Sequence, residues 1–416
     1  MNDRRDHASP PLNPIFHVLA SSRWSRAAII ACAVLLPASE ATALWDDKLE
    51  LFIQETVTYD DNVFRLSDGL NPVGQTKRSD TSFITSPGFN LDIPWSRQRF
   101  VGGLRWNFTR YNTFKELDFD GQEARAAWLW QAGNDLSGQV GYTQTEALAS
   151  LANSRDGLLL GTPNSLDTWR AYVNALYNVT PRWQVSGELS RLEQENGLAT
   201  QQFNNIVIDA AEAGLFYVTP LKNRVGIGVR LEEGDYPNRA GTGLFESYRQ
   251  TIVDGIVDYG ATARSRLIAR AGVVSRSYDE APQLDFTEGT YRLTWDWQAP
   301  GNFAMNTVLR REVAPLDDTY STFVLLTGIL LNPTLRVTEK VNLGATLEWS
   351  SRDYLTEGAL VTDREDRVRT AILRLSYRPL RAVTLDLSAM HQTRSADVAF
   401  DDYEVNVLSL GLRIGF

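Results

Sequence analysis

Eight arginines, Arg105, Arg125, Arg230, Arg270, Arg292, Arg310, Arg374 and Arg413, fall on the polar parity of alternating segments, set among Glu188, Asp296, Glu348 and Asp386. A guanidinium is a planar fork of donors that stays charged at any physiological pH and fits carboxylates and sugar hydroxyls. A wall carrying such groups can guide an acidic or strongly hydroxylated polymer. The same groups can instead pair with neighbouring carboxylates and hold the wall rigid, and the sequence leaves both uses open. After residue 43 the only lysines are Lys48, Lys77, Lys115, Lys222 and Lys340, so almost all the positive charge there is guanidinium.

Residues suited to catalysis are sparse. His391 is the one histidine after residue 43, and Asp386 lies on the opposite face of the same strand by parity. No G-x-S-x-G elbow accompanies them, so no enzyme is expected. Cys32 lies in the N-terminal segment, which removes thiol chemistry from the remainder. "TYDDN" (Thr58 to Asn62) clusters carboxylates of the kind Ca²⁺ takes, but it lacks D-x-D-x-D-G spacing and reads as a solvated turn. Neither a metal nor a cofactor is expected.

The elements that must carry these groups are strands. Val341, Leu343, Ala345, Leu347 and Trp349 interleave with Asn342, Gly344, Thr346, Glu348 and Ser350, and many other segments of roughly 10 to 15 residues repeat this two-residue period. Leu176 and Ile372 break it by falling on the polar parity. Short turns such as "VTPRW", "QAGND" and "RPLRA" alternate with longer, more polar connections such as "DDNVFRLSDGLNPVGQTKRSD". Short turns on one side and long loops on the other predict an all-β fold, a transmembrane antiparallel up-and-down β-barrel of the outer-membrane type with about 18 strands. A soluble sandwich would use strands about half as long, and a solenoid would need a sequence repeat that is absent.

Residues 1–43 stand apart. Arg23 and Arg26 precede the apolar run Ala27 to Leu36, which is followed by Ala41-Thr42-Ala43, the layout of a secretory signal peptide. The run is too short to cross a bilayer as a helix, so the expected organisation is a signal at 1–43 and a barrel at 44–416. The chain carries 41 basic and 51 acidic residues, a balance that excludes a nucleic-acid partner. Outer-membrane lipid is the expected surroundings, with Trp95, Trp183, Trp297 and Tyr377 beside the short turns as an interfacial girdle. The third long connection, Ala147 to Leu166, is unusually apolar; it either folds inward and narrows the bore or packs as an ordinary surface loop.

The stretch "ELFIQETVTYDDNVFRL" (Glu50 to Leu66) resembles the first strand and loop of outer-membrane β-barrels encoded with exopolysaccharide synthesis genes in Gram-negative bacteria. The likeness implies a channel that exports a polysaccharide substrate, served by periplasmic polysaccharide-export proteins. The ending Leu410, Leu412, Ile414, Phe416 resembles the terminal signal read by barrel-insertion machinery. A general solute porin or an adhesive surface scaffold is the alternative reading, with an outer-membrane hydrolase behind both.

Overall fold

The computed structural model describes residues 48–72, 74–152, 163–242, 245–315, 323–354, 364–397 and 401–416. Residues 1–43, expected to form a signal and including Cys32, and Ser154–Gly161 of the third long connection, lie outside the described residues. The first six strands are β1 (Leu49–Asp60), β2 (Asp80–Trp95), β3 (Gln98–Tyr111), β4 (Phe119–Ala132), β5 (Leu136–Leu148) and β6 (Ser165–Thr180). Next come β7 (Trp183–Asn196), β8 (Ile206–Val218), β9 (Arg224–Asp235), β10 (Ser247–Thr262), β11 (Ser265–Ser277) and β12 (Phe286–Gln298). The last are β13 (Phe303–Pro315), β14 (Phe323–Arg336), β15 (Val341–Tyr354), β16 (Glu365–Leu380), β17 (Val383–Ala396) and β18 (Tyr403–Gly415).

Each strand pairs antiparallel with its sequence neighbours, and β1 also pairs with β18, so 18 strands form one closed cylinder without an edge. At the seam Phe52 faces Gly415 and Tyr59 faces Leu408, and the Phe416 N–H donates to the Leu51 carbonyl at 2.8 Å. The terminal aromatic thus completes the ladder between the first strand and the last. Closure satisfies every strand's hydrogen-bonding edge, which a sheet must achieve to stand in hydrocarbon.

The two-residue period now sorts the side chains. Leu189, Ile227 and Leu373 are 60%, 61% and 63% exposed on the convex face, whereas Asp254 and Asp258 are buried on the concave one. This inversion of a soluble protein's arrangement gives an apolar outer band that lipid can cover. Trp95, Trp183 and Tyr377 are exposed beside the short turns, and Trp128, Tyr177, Tyr217 and Tyr259 join them. Trp183 packs edge-on against Tyr217 with ring centroids 5.4 Å apart. The chain is an outer-membrane barrel by this geometry, and a Gram-negative outer membrane is its site.

The short turns hold two to five residues and the long connections six to nineteen. Local hydrogen bonds set the short ones. Thr180 Oγ1 accepts from the Arg182 and Trp183 N–H groups at 3.2 and 3.0 Å, and Thr338 Oγ1 accepts from Lys340 and Val341 at 3.1 and 3.0 Å. At the other end the long connections pack over the mouth. Val63, Phe64, Tyr111, Phe114, Leu117 and Leu148 form one apolar cluster; Ile206, Tyr236, Phe245, Tyr248, Tyr278 and Ala281 form a second on a distant arc. Tyr111, Ile206 and Tyr248 are on the inward parity, so both clusters crowd the mouth from inside.

Aromatic rings lie flat across glycines of adjoining strands on the inner wall. A Cβ on Gly141 would stand 2.4 Å from the Tyr172 ring, and one on Gly88 would stand 2.5 Å from the Leu104 carbonyl oxygen and 2.6 Å from Phe52. Glycine is required at both places for close approach.

Candidate functional site

The inner wall is identified by contacts that pass over intervening strands, which only the concave side permits. Arg270 on β11 binds Asp254 on β10 at 2.7 Å and reaches Glu212 on β8 at 2.9 Å. Arg310 on β13 reaches Glu348 on β15 at 2.7 Å and Glu312 at 3.3 Å. Arg230 lies between Glu232 at 3.1 Å and Glu212 at 3.8 Å, and Arg292 meets Glu312 at 3.0 Å. Glu188 accepts from Arg170 at 2.5 Å, and Arg105 meets Glu123 at 2.6 Å. Near the seam Arg413 binds Glu50 at 2.8 Å, its guanidinium 3.9 Å above the Phe52 ring.

Six of the eight arginines singled out in the sequence are therefore in ion pairs. Arg125 and Arg374 differ: their partners are neutral oxygens, Asn90 Oδ1 at 3.1 Å and Thr346 Oγ1 at 2.8 Å. Of the acidic residues, Asp296 accepts from Asn306 at 2.7 Å, and Asp386 has no hydrogen-bond partner among the described residues. The lattice stiffens the wall and cancels most of its charge. Partly exposed pairs of this kind contribute little stability individually, and a connected network contributes more. Along β6 to β13 it borders a cavity of about 450 Å³ that also touches Ile206, Tyr248 and Val274.

Several members were not singled out in the sequence: Arg170, Glu212, Glu232, Asp254, and the pairs of Asp258 with Arg224 (2.9 Å) and Arg266 (2.8 Å). Parity alone would have found Asp254 and Asp258, but Ile252 and Ile256 alternate with them on the same inward face and blur the pattern.

A separate knot lies at the outer end. Asp366 is fully buried, accepting from the Tyr354 hydroxyl at 2.6 Å and pairing with Arg364 at 3.0 Å and with Arg394. Arg364 also meets Asp401 at 2.8 Å. Arg394 reaches across the mouth to the carbonyl oxygen of Ala152 at 2.6 Å, and Leu151 packs on the first apolar cluster. The described start of the third long connection thus turns inward.

The "TYDDN" stretch corrects the sequence reading, because it is not a solvated turn. Asn62 is 1% exposed; its amide donates to the carbonyls of Leu66 at 2.8 Å and Glu404 at 2.9 Å, and its oxygen accepts from Leu66 N–H at 2.9 Å. Asp61 accepts from the Asn406 backbone and amide, both at 2.8 Å, and Asp60 pairs with Arg65 at 2.9 Å. These residues tie the first long connection to the last hairpin. Within this anchored connection Arg65 takes a left-handed backbone with φ 56°.

His391 faces outward, its Nδ1 2.9 Å from Asn406 Oδ1, while Asp386 faces the bore. The two do not meet, and His391 has no inward route to a solute.

No family model and no curated protein matches the chain. Among solved structures, the outer membrane protein OpdK of Pseudomonas aeruginosa is similar at 10% identity and TM-score 0.48, over 89% of this chain and 99% of that one. A BenF-like porin of Pseudomonas fluorescens Pf-5 is similar at 11% identity and TM-score 0.46, over 89% and 98%. OccAB3 of Acinetobacter baumannii is similar at 10% identity and TM-score 0.44, over 89% and 98%.

Proposed function

We propose that the barrel is a porin, a passive channel for small polar solutes across the outer membrane. The observation that carries this reading is the inner wall: a cylinder of 18 strands whose concave face holds ion pairs bridging non-adjacent strands. Barrels of this strand number have room for an aqueous bore. Apolar clusters crowd the mouth from two arcs, which suits solutes of small cross-section. Reconstitution into planar bilayers tests the proposal: stepwise conductance in KCl supports it, and correctly folded protein that never conducts overturns it.

Polysaccharide export is the second reading, and the likeness of Glu50–Leu66 favours it. That support is limited by what the motif does here, since Asp60, Asp61 and Asn62 are engaged in fastening the first connection to the last hairpin. A motif with a structural task reports the fold more than the cargo. A deletion strain separates the readings: polymer retained in the periplasm supports export, and normal secretion with lost small-solute uptake supports the porin.

A further inference from the structure

We propose that the lumen near the short-turn end, along β4 to β7, is a binding patch for an uncharged polyol, a neutral sugar being the chemical class it fits. The inference rests on the channel reading above and names what that channel favours. An open cavity of about 760 Å³ lies there. Its wall is formed by Gln131, Ser137, Asn174 and Ser186, with Leu129 and Leu176 between them. All six lie on the inward parity, as the pairs Gln131–Ser137, Ser137–Leu176 and Leu176–Ser186 require.

The charged groups at the border of this cavity are already committed. Arg99 binds Asp92, Glu188 binds Arg170 at 2.5 Å, Glu212 binds Arg270 at 2.9 Å, and Arg224 binds Asp258 at 2.9 Å. Arg97 is held by the following turn, through the Gly133 carbonyl and Asn134 Oδ1. By contrast, the side chains of Gln131, Ser137, Asn174 and Ser186 have no protein hydrogen-bond partner among the described residues. Apart from Arg97 at the turn, whose partners are neutral oxygens, the wall offers a charged solute no uncompensated charge, and it offers a hydroxylated one two amides and two hydroxyls, each able to donate and accept. Leu129 and Leu176 supply an apolar surface for the C–H face of a pyranose. A lining of this composition sets selectivity by hydrogen-bond donors and acceptors. Leu176, one of the two residues that broke the alternation, thereby acquires a use.

The test is current blockade in planar bilayers, with maltotriose added from the short-turn side of the wild-type channel in KCl. Maltotriose should block the wild-type current in a concentration-dependent way. The double variant Gln131→Leu/Asn174→Leu should need at least about five-fold more sugar for half-block, roughly 1 kcal/mol, with KCl conductance retained. Ser137→Ala/Ser186→Ala, which removes only hydroxyls, should move the half-block in the same direction and covers failure of the first variant to fold. Glucuronate blockade should be unchanged by either pair. Intact KCl conductance with no maltotriose block, or with equal block of wild type and both variants, overturns the patch while leaving the channel standing. A wild-type barrel that does not conduct KCl overturns both.

Discussion

Arg394 on β17 donates to the carbonyl of Ala152, 242 positions earlier in the chain, and so spans the outer mouth between distant arcs of the barrel. The same guanidinium pairs with Asp366, which is fully buried and also bound by Arg364 and Tyr354. One side chain thus joins the inner wall of the last strands to the start of the third long connection.

Replacing Arg394 with Met should cut that tie and leave Asp366 with one cation fewer. Removing one partner of a buried pair typically costs about 3–5 kcal/mol. The expected outcome is a lower unfolding temperature, read by the shift from folded to unfolded migration on cold-loaded gels, together with a raised single-channel conductance. Unaltered conductance in a folded variant would show that the tie does not hold the mouth narrow.

Deleting Ser154–Gly161 probes the same mouth from the loop side. An inward-folded third connection predicts a larger conductance than wild type. Equal conductance removes the constricting role.

Arg125 and Arg374 are the two of the eight inward arginines whose partners are neutral oxygens. A unit charge a few ångströms from a passing ion in a water-filled bore is worth about 1 kcal/mol. Arg125→Gln and Arg374→Gln should each lower chloride over potassium permeability by a few-fold, measured as reversal potential in a KCl gradient. A paired position supplies the contrast. Arg270→Gln leaves Asp254 without its cation and Glu212 with only Arg230 at 3.8 Å, and should push the channel further toward cations. Reversal potentials that do not move would mean the ions pass elsewhere.

Gly141 carries the Tyr172 ring and Gly88 the Phe52 ring. Gly141→Val or Gly88→Val should force ring and backbone apart and destabilise the barrel by about 1–3 kcal/mol, as overpacking does. Urea unfolding in lipid vesicles measures this, and a midpoint equal to wild type would show that the strands have room to yield.

The fold was legible because its signal is long and repetitive: apolar positions alternate over whole strands, and turn lengths alternate short and long. Tyr291, Leu293, Trp295 and Trp297, for example, lie on one face of β12 in the sequence and in the structure. The ion-pair lattice was not legible, because Arg270 and Glu212 are 58 positions apart and meet only after closure sets the stagger of four strands. The "TYDDN" stretch misled for the same reason. Its acceptors and donors at Glu404 and Asn406 come from the last hairpin, and nothing local announces that burial. Leu176 and Ile372 looked like flaws in the period and are inward residues of the wall.

Electrical recording from residues 44–416, refolded and inserted into a planar bilayer, tests the central claim most directly. A water-filled cylinder predicts discrete steps of current in KCl that rise with salt concentration and shift in selectivity when Arg125, Arg374 or Arg270 is neutralised. Protein that is folded and inserted yet passes no current, or current indifferent to all three substitutions, would contradict it.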